Sequence, residues 1–252
     1  MRTGAILTRM PFTLVAEFVR HQLWKRFEQP FFTRYLKLLE DEVCGGCRTL
    51  LDIGCGGGGP ASSFSGKLAY SVGVDAYAPA LEIARQRSSH HDYVLANVED
   101  LRSKFAPKSF DCVLAFDLIE HLKKDEGLAL LDAMECISRK KVIVFTPNGF
   151  LPQSAVGDNP FRVHCSGWTV AEFAKRGYRV RGVHGLRWIL GEEANPRWKP
   201  IKFWRAVAVA TEPVLARLPR YSFQLFCVKN IADCTDVGVG RQSIISEERT
   251  TS

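Results

Sequence analysis

Thr49-Leu-Leu-Asp-Ile-Gly-Cys-Gly-Gly-Gly-Gly59 decides the fold. Thr49 to Ile53 are β-formers, one of them acidic, and a burst of glycine follows. Glycine reaches backbone angles closed to other residues and lets a ligand approach the main chain. The stretch therefore reads as a buried strand feeding a nucleotide loop. Gly54, Gly56 and Gly59 satisfy the dinucleotide pattern G-x-G-x-x-G, which has little specificity when it stands alone. Asp52 weighs against that reading, because it would set a like charge near a pyrophosphate. A ligand carrying cationic groups suits the carboxylate better.

The residues on either side repeat a strand-helix alternation. Pro60 suits a helix start, and a helix to about Ala69 would turn its free amides toward the ligand. Ser71-Val-Gly-Val-Asp75 is the second strand. Asp75 lies roughly twenty residues beyond the glycines, where α/β nucleotide sites place a carboxylate on ribose hydroxyls; a cap for the helix Pro79 to Arg87 is the competing role. Tyr93 to Ala96 is a third strand and Ser109 to Phe116 a fourth, whose carboxyl end should meet the reacting group. Asp117-Leu-Ile-Glu-His121 leads into a helix ending near Ser138, then the strand Val142 to Thr146. Thr146-Pro-Asn148 breaks regular structure as a site loop would.

Together these motifs resemble the class I S-adenosylmethionine (SAM)-dependent methyltransferases. Their first motif, a strand with an acidic residue and then G-x-G-x-G, is matched by Asp52, Gly54, Gly56 and Gly58. The resemblance runs closely from Thr49 to Thr146 and loosely from Trp168 to Val228. It implies an α/β, Rossmann-like fold with a seven-stranded sheet whose last strand is antiparallel, Tyr178 to Val183 pairing with Ser222 to Val228 at the edge. It also implies a SAM site made of Asp52, Gly54, Cys55, Gly56, Gly58, Asp75, Ala76, Asn97, Val98, Phe116 and Asp117. The family usually has Asp where this chain has Asn97; the amide oxygen still accepts from the adenine amine, and Val98 offers a backbone amide.

Asp117, Glu120 and His121 fall on one face of a helical turn, and His164 can join them from the loop after Asn148. Carboxylates and imidazoles of this kind suit a divalent metal, Mg or Mn. The run resembles the E-x-x-E-H metal motif of ubiquinone-pathway O-methyltransferases and of small-RNA terminal-ribose methyltransferases, with Asp117 in the first position. His121 and His164 are also candidates for a catalytic base. An E-H pair followed by an aliphatic residue is also widespread among members of the class that use no metal, with the Glu capping or ion-pairing locally.

A chain of 252 residues with 46% hydrophobic content builds one main core, and a net charge of +7 allows an anionic partner without choosing one. We expect N-terminal helices over 1–47, with Leu14 to Phe27 and Phe32 to Leu39 at helical spacing; a methyltransferase domain over 48–230; and a polar disordered tail over 231–252. Arg9, Glu17 and Arg20 interrupt any secretory leader, although the basic amphipathic start also fits a transit peptide. No stretch is long enough for a membrane span. The eight cysteines suit reduced thiols in the cytoplasm, with Cys44-Gly-Gly-Cys47 read as a loop before the first strand. Thr169 and Glu172 form a capping box.

The segment 184–220 is an aromatic and basic insertion between the last two strands, rich in Arg and Lys. All five tryptophans, Trp24, Trp168, Trp188, Trp198 and Trp204, are placed outside the core. The insertion is read as a pocket wall for a small-molecule methyl acceptor, as a peripheral membrane contact, or as a satellite core. The expected activity is methyl transfer to a small molecule, on oxygen. RNA terminal-ribose methylation, with nucleic acid as partner, and a non-catalytic SAM-binding scaffold are the alternatives.

Overall fold

The computed structural model describes residues 29–153, 160–191 and 195–231. The expected helix over Leu14 to Phe27, Trp24 and the tail from 232 lie outside them. Helix α1 is Gln29–Cys44, and Leu39 and Val43 on its inner face are fully buried. The chain continues through β1 (Thr49–Ile53), β2 (Tyr70–Asp75), α2 (Ala78–Gln86), β3 (Asp92–Leu95), the single turn α3 (Leu101–Lys104) and β4 (Phe110–Phe116). Next come α4 (Lys124–Ile137), β5 (Ser138–Pro147), α5 (Val170–Lys175), β6 (Arg179–Leu186), α6 (Ile201–Leu215) and β7 (Ser222–Asn230).

The seven strands form one sheet in the order β3-β2-β1-β4-β5-β7-β6. The first five are parallel, and β7 runs antiparallel to both β5 and β6. This is the seven-stranded arrangement with an antiparallel last strand that the resemblance implies. Strand alternation divides the core between the two faces. Leu51, Ile53, Val113 and Ala115 meet α4 through Leu130, Leu131, Met134 and Ile137. Leu50, Cys112, Leu114 and Ile143 meet α1 on the other face.

Order and register fix the site. The sheet switches direction of growth between β1 and β4, the crevice where parallel sheets take ligands. Ile53 pairs with Val74 and with Ala115, and Asp75 with Leu95. Gly54, Asp75, Leu95 and Phe116 are therefore level at the carboxyl ends.

Two expectations fail on local chemistry. After the glycines there is no α-helix to Ala69, only the 3-10 turns Pro60–Ser63 and Ser65–Lys67. The Ser62 and Ser63 hydroxyls donate to the carbonyls of Gly59 and Pro60, both at 2.8 Å, and such bonds compete with helix formation. Trp168 is also misplaced by the sequence reading: it is 1% exposed in the main core. Its Nε1 donates to Ile119 O at 3.3 Å and to Ser166 Oγ at 3.0 Å, and Lys124 Nζ sits 3.5 Å from its ring centroid. A Cβ on Gly127 would come within 2.4 Å of that ring, so α4 needs glycine there.

The capping box before α5 forms as read, with Thr169 Oγ1 accepting from Glu172 N. In the insertion, α6 lies on β6, where a Cβ on Gly185 would meet Ala208 at 2.6 Å. Ile189, Leu190, Ala208 and Phe223, joined by Leu151, Leu186 and Trp204, form a satellite core. Among the described residues no helix is long and apolar enough to cross a membrane.

Candidate active site

A cavity of about 1300 Å³ opens at the carboxyl ends of β1, β2, β3 and β4. One half is built by the glycine loop and the residues level with it. Gly54 N and Cys55 N both donate to Val74 O, at 2.7 and 3.0 Å, which ties the loop to β2. Asp75 joins the loop to the turn after β2: Oδ2 accepts from Gly56 N and Oδ1 from Tyr77 N, each at 2.8 Å. The carboxylate keeps further acceptor capacity on the cavity wall. Gly54 and Gly56 have φ of 73° and 54°, in the left-handed region that favours glycine. A Cβ on Gly56 would meet no protein atom within 4 Å, so the main chain lies open to a ligand there.

Gly54, Gly56, Asp75, Ala76, Asn97, Val98, Phe116 and Asp117 all line this cavity. Asp52, Cys55 and Gly58 do not. Asp52 is 2% exposed and its Oδ2 is held by His90 Nε2 at 3.1 Å beneath the loop; burial pushes its carboxyl up, against the pull of His90. Its partner is a buried imidazole, where the sequence reading placed a cofactor cation. Cys55 is buried, with Sγ near Gly56 O, and a Cβ on Gly58 would collide with Ser89. These three shape the loop from behind.

The other half gathers the titratable groups. Asp117 has φ of 47°, uncommon for a residue with a side chain, and its amide donates to Phe145 O at 2.9 Å. That turn sends the chain into a 3-10 segment, Ile119–His121, instead of the helical turn read from the spacing. The consequence is a smaller cluster than expected. Glu120, His121 and His164 bring one ligand atom each to within 4.8 Å of one another, and Asp117 is not among them. Asp117 Oδ1 accepts instead from Gln224 Nε2 at 3.2 Å. By area Asp117 is exposed, on the cavity wall, yet dense protein encloses it and raises its carboxyl above the ordinary range. Enclosure governs the cost of charge here, because the accessible area faces a pocket, not bulk solvent.

Glu120 is buried and accepts from Thr146 Oγ1 at 3.0 Å; burial, then the neighbouring Asp117, pushes its carboxyl up. The two imidazoles are prepared alike. His121 Nδ1 lies 3.1 Å from Val163 O and His164 Nδ1 lies 2.7 Å from Leu151 O. A carbonyl only accepts, so each Nδ1 carries the proton and each Nε2 presents a lone pair. Burial lowers both pKa values and keeps the rings neutral. The ring centroids are 4.8 Å apart. Cys165 N and Ser166 N donate to Glu120 O, at 2.8 and 3.0 Å, so the His164 loop is strapped to the Glu120 turn and anchored by Trp168. Two neutral imidazoles with oriented Nε2 atoms beside a carboxylate are a donor set that fits a divalent metal.

Tyr35, His184 and Gln224 also line the cavity and were missed from sequence. His184 has φ of 62°, and its Nδ1 makes a short hydrogen bond to Gln224 Oε1. Tyr35 packs edge-on against His184, at 4.9 Å between centroids, and beside the stacked pair Phe116 and Phe145. This side of the cavity is thus aromatic, with a polar line from His184 through Gln224 to Asp117.

Residues 51–145 match the family model of a methyltransferase domain. Ubiquinone biosynthesis O-methyltransferase of Nitrosomonas europaea is 32% identical over 88 residues, covering 32% of this chain and 37% of that protein. The enzyme of the same name from Neisseria meningitidis serogroup A is 29% identical over 125 residues, covering 47% and 48%. The chain thus spans between a third and a half of the length of these curated relatives. The methyltransferase domain of bacterial CtHen1 superposes with a TM-score of 0.51 at 16% identity, over 80% of this chain and 100% of that one. Small RNA methyltransferase HEN1 gives 0.52 at 16%, over 82% of this chain and 26% of that one. The fold is that of the class I methyltransferases.

Proposed function

We propose that this chain, with its methyltransferase domain and fold, is a SAM-dependent methyltransferase that methylates an oxygen of a small molecule. The observation that carries the reading is Asp75 at the end of β2, bonded to the glycine loop through Gly56 and to its own turn through Tyr77, and still open to the cavity. Asp75 is suited to ribose hydroxyls, Asn97 and Val98 to the adenine, and the open backbone at Gly56 to close approach of the nucleoside. When bound, SAM supplies a methyl group on a sulfonium that leaves readily; the new oxygen–carbon bond forms as the carbon–sulfur bond breaks and sulfur keeps the electron pair.

The protein's own contribution is alignment, exclusion of water and proton removal. Phe116, Phe145 and Tyr35 wall the acceptor side with apolar surface. Glu120, His121 and His164 would hold Mg or Mn, which lowers the pKa of a hydroxyl bound to it. Without a metal, Nε2 of His121 or His164 takes the acceptor's proton directly. Turnover of labelled SAM against a library of phenols and alcohols tests the activity. Heat on titration with SAM or its demethylated product tests the donor site; uptake of NAD in place of SAM would overturn the reading.

The same triad and the net charge of +7 support a second reading, methylation of an RNA terminal ribose. RNA binding should then weaken steeply with salt. No binding to short RNA at low salt would remove it.

A further inference from the structure

Large apolar side chains stay exposed along one part of the insertion. Trp188, Trp198 and Phe203 are 57%, 49% and 56% exposed, and Ile201, Val214 and Leu218 are exposed as well. Single exposed apolar residues need no explanation, whereas a contiguous ridge does. The rings of Trp198 and Trp204 are 5.1 Å apart, and those of Phe203 and Trp204 5.2 Å, at the start of α6. The inner side of that helix, Ala208 and Leu215, is already buried against β6 and the satellite core. The helix is therefore apolar on a second, outward surface as well.

Cations crowd the same stretch of chain. Between 195 and 220 the sequence carries Arg197, Lys199, Lys202, Arg205, Arg217 and Arg220 against Glu212 alone. Glu212 is buried and paired with Arg34 at 3.0 Å, so it does not offset the cations outside. Lys199 and Lys202 bracket the exposed Ile201 and are themselves exposed. Among the described residues neither has an acidic partner.

We propose that this face of α6 docks on an anionic lipid bilayer, with Trp198, Phe203 and Val214 entering the interface and Lys199 and Lys202 on the headgroups. Aromatic and aliphatic side chains ringed by cations are the composition of a helix that lies in a membrane surface. A nucleic acid would use the cations and could stack on the rings, but it gives the aliphatic Val214 and Leu218 nothing to bury. The surface adjoins the cavity, since Leu151 and Phe223 line the cavity and also pack in the satellite core. The proposal does not depend on what the cavity binds.

The test is co-sedimentation of the full chain with phosphatidylcholine vesicles, with and without phosphatidylglycerol, beside a SAM titration of each preparation. Binding is expected only when phosphatidylglycerol is present. Lys199→Ala with Lys202→Ala should weaken it about fivefold per lysine, roughly 25-fold together. Trp198→Ser with Phe203→Ser should weaken it at least about tenfold, with the loss persisting at raised salt, where charge no longer dominates. These exposed substitutions should leave the melting temperature and the SAM titration unchanged. Failure to sediment with either vesicle would overturn the proposal, as would sedimentation that ignores both double variants. Loss of short-RNA binding or of self-association in those variants, with no vesicle binding in the parent, would assign the face to those partners instead.

Discussion

Asp75→Ala isolates the donor site. In the folded protein each carboxylate oxygen accepts one backbone N–H at 2.8 Å, from Gly56 and from Tyr77, and the rest of its acceptor capacity faces the cavity. Hydrogen bonds to a charged group are worth about 1.5–3 kcal/mol each. Losing the ligand's share should raise the Kd for SAM and its demethylated product about 10- to 150-fold. The two orphaned amides lie next to the cavity, where water can reach them, so the stability loss should stay near 1–2 kcal/mol. Asp75→Asn is the sharper control: its NH2 would confront the Gly56 or the Tyr77 amide, donor against donor, although nearly all of the side-chain volume remains. Calorimetric titration of variants whose unfolding transitions remain cooperative measures the affinity. A folded Asp75→Ala protein that binds SAM within about twofold of the parent would refute the assignment.

Four further outcomes follow from the geometry. Asp52→Ala should leave SAM affinity nearly unchanged and cost about 1–3 kcal/mol in urea unfolding, because it strands His90 Nε2 in the interior; a large affinity loss with normal stability would return Asp52 to the donor site. Gly56→Val should abolish SAM binding, since the side chain enters the cavity, and its left-handed backbone adds about 1–2 kcal/mol of strain visible in the melting temperature. If Glu120, His121 and His164 hold a metal, chelation should stop turnover and Mg or Mn restore it; full activity in chelator would leave His121 and His164 as direct bases. Glu42 is pushed up by burial, but Lys141 at 2.9 Å and Arg179 outweigh this and hold it below the ordinary carboxylate range. Its stabilisation is therefore present above the unfolded value of about 4.3 and is lost as pH falls through the lower folded value. Glu42→Gln should cost about 1–3 kcal/mol at neutral pH and progressively less in acid, read from unfolding curves across pH.

Much of the donor half was legible because its signals are local. Runs of β-formers ending in glycine or aspartate mark strand ends, and in a parallel sheet those ends share one rim, so Gly54, Asp75, Asn97 and Phe116 arrive together. Asp52 lies off the cavity lining, and its partner, His90, stands thirty-eight positions on, where nothing in the spacing reveals it. The turn after Asp117 was read as helical because the spacing of Asp117, Glu120 and His121 is helical; a single left-handed residue changes the direction and leaves Asp117 with Gln224. Tyr35, His184 and Gln224 come from three distant segments joined only by packing, and no local pattern announces such a meeting. Trp168 lies beyond the nucleotide core in sequence, yet the missing side chain of Gly127 makes room for it inside.

The insertion leaves and re-enters the sheet at one place, for Leu186 stands opposite Ser222 in adjacent strands. A detour whose two ends already touch can change length cheaply, about 0.6 kcal/mol for each doubling. The donor rim, assembled wholly from β1 to β4, does not feel such a change. The chain is therefore built like a tool with an exchangeable head: grafting another detour between Leu186 and Ser222 would change what this edge of the sheet rests against, while the cavity rim built from β1 to β4 stays as it was.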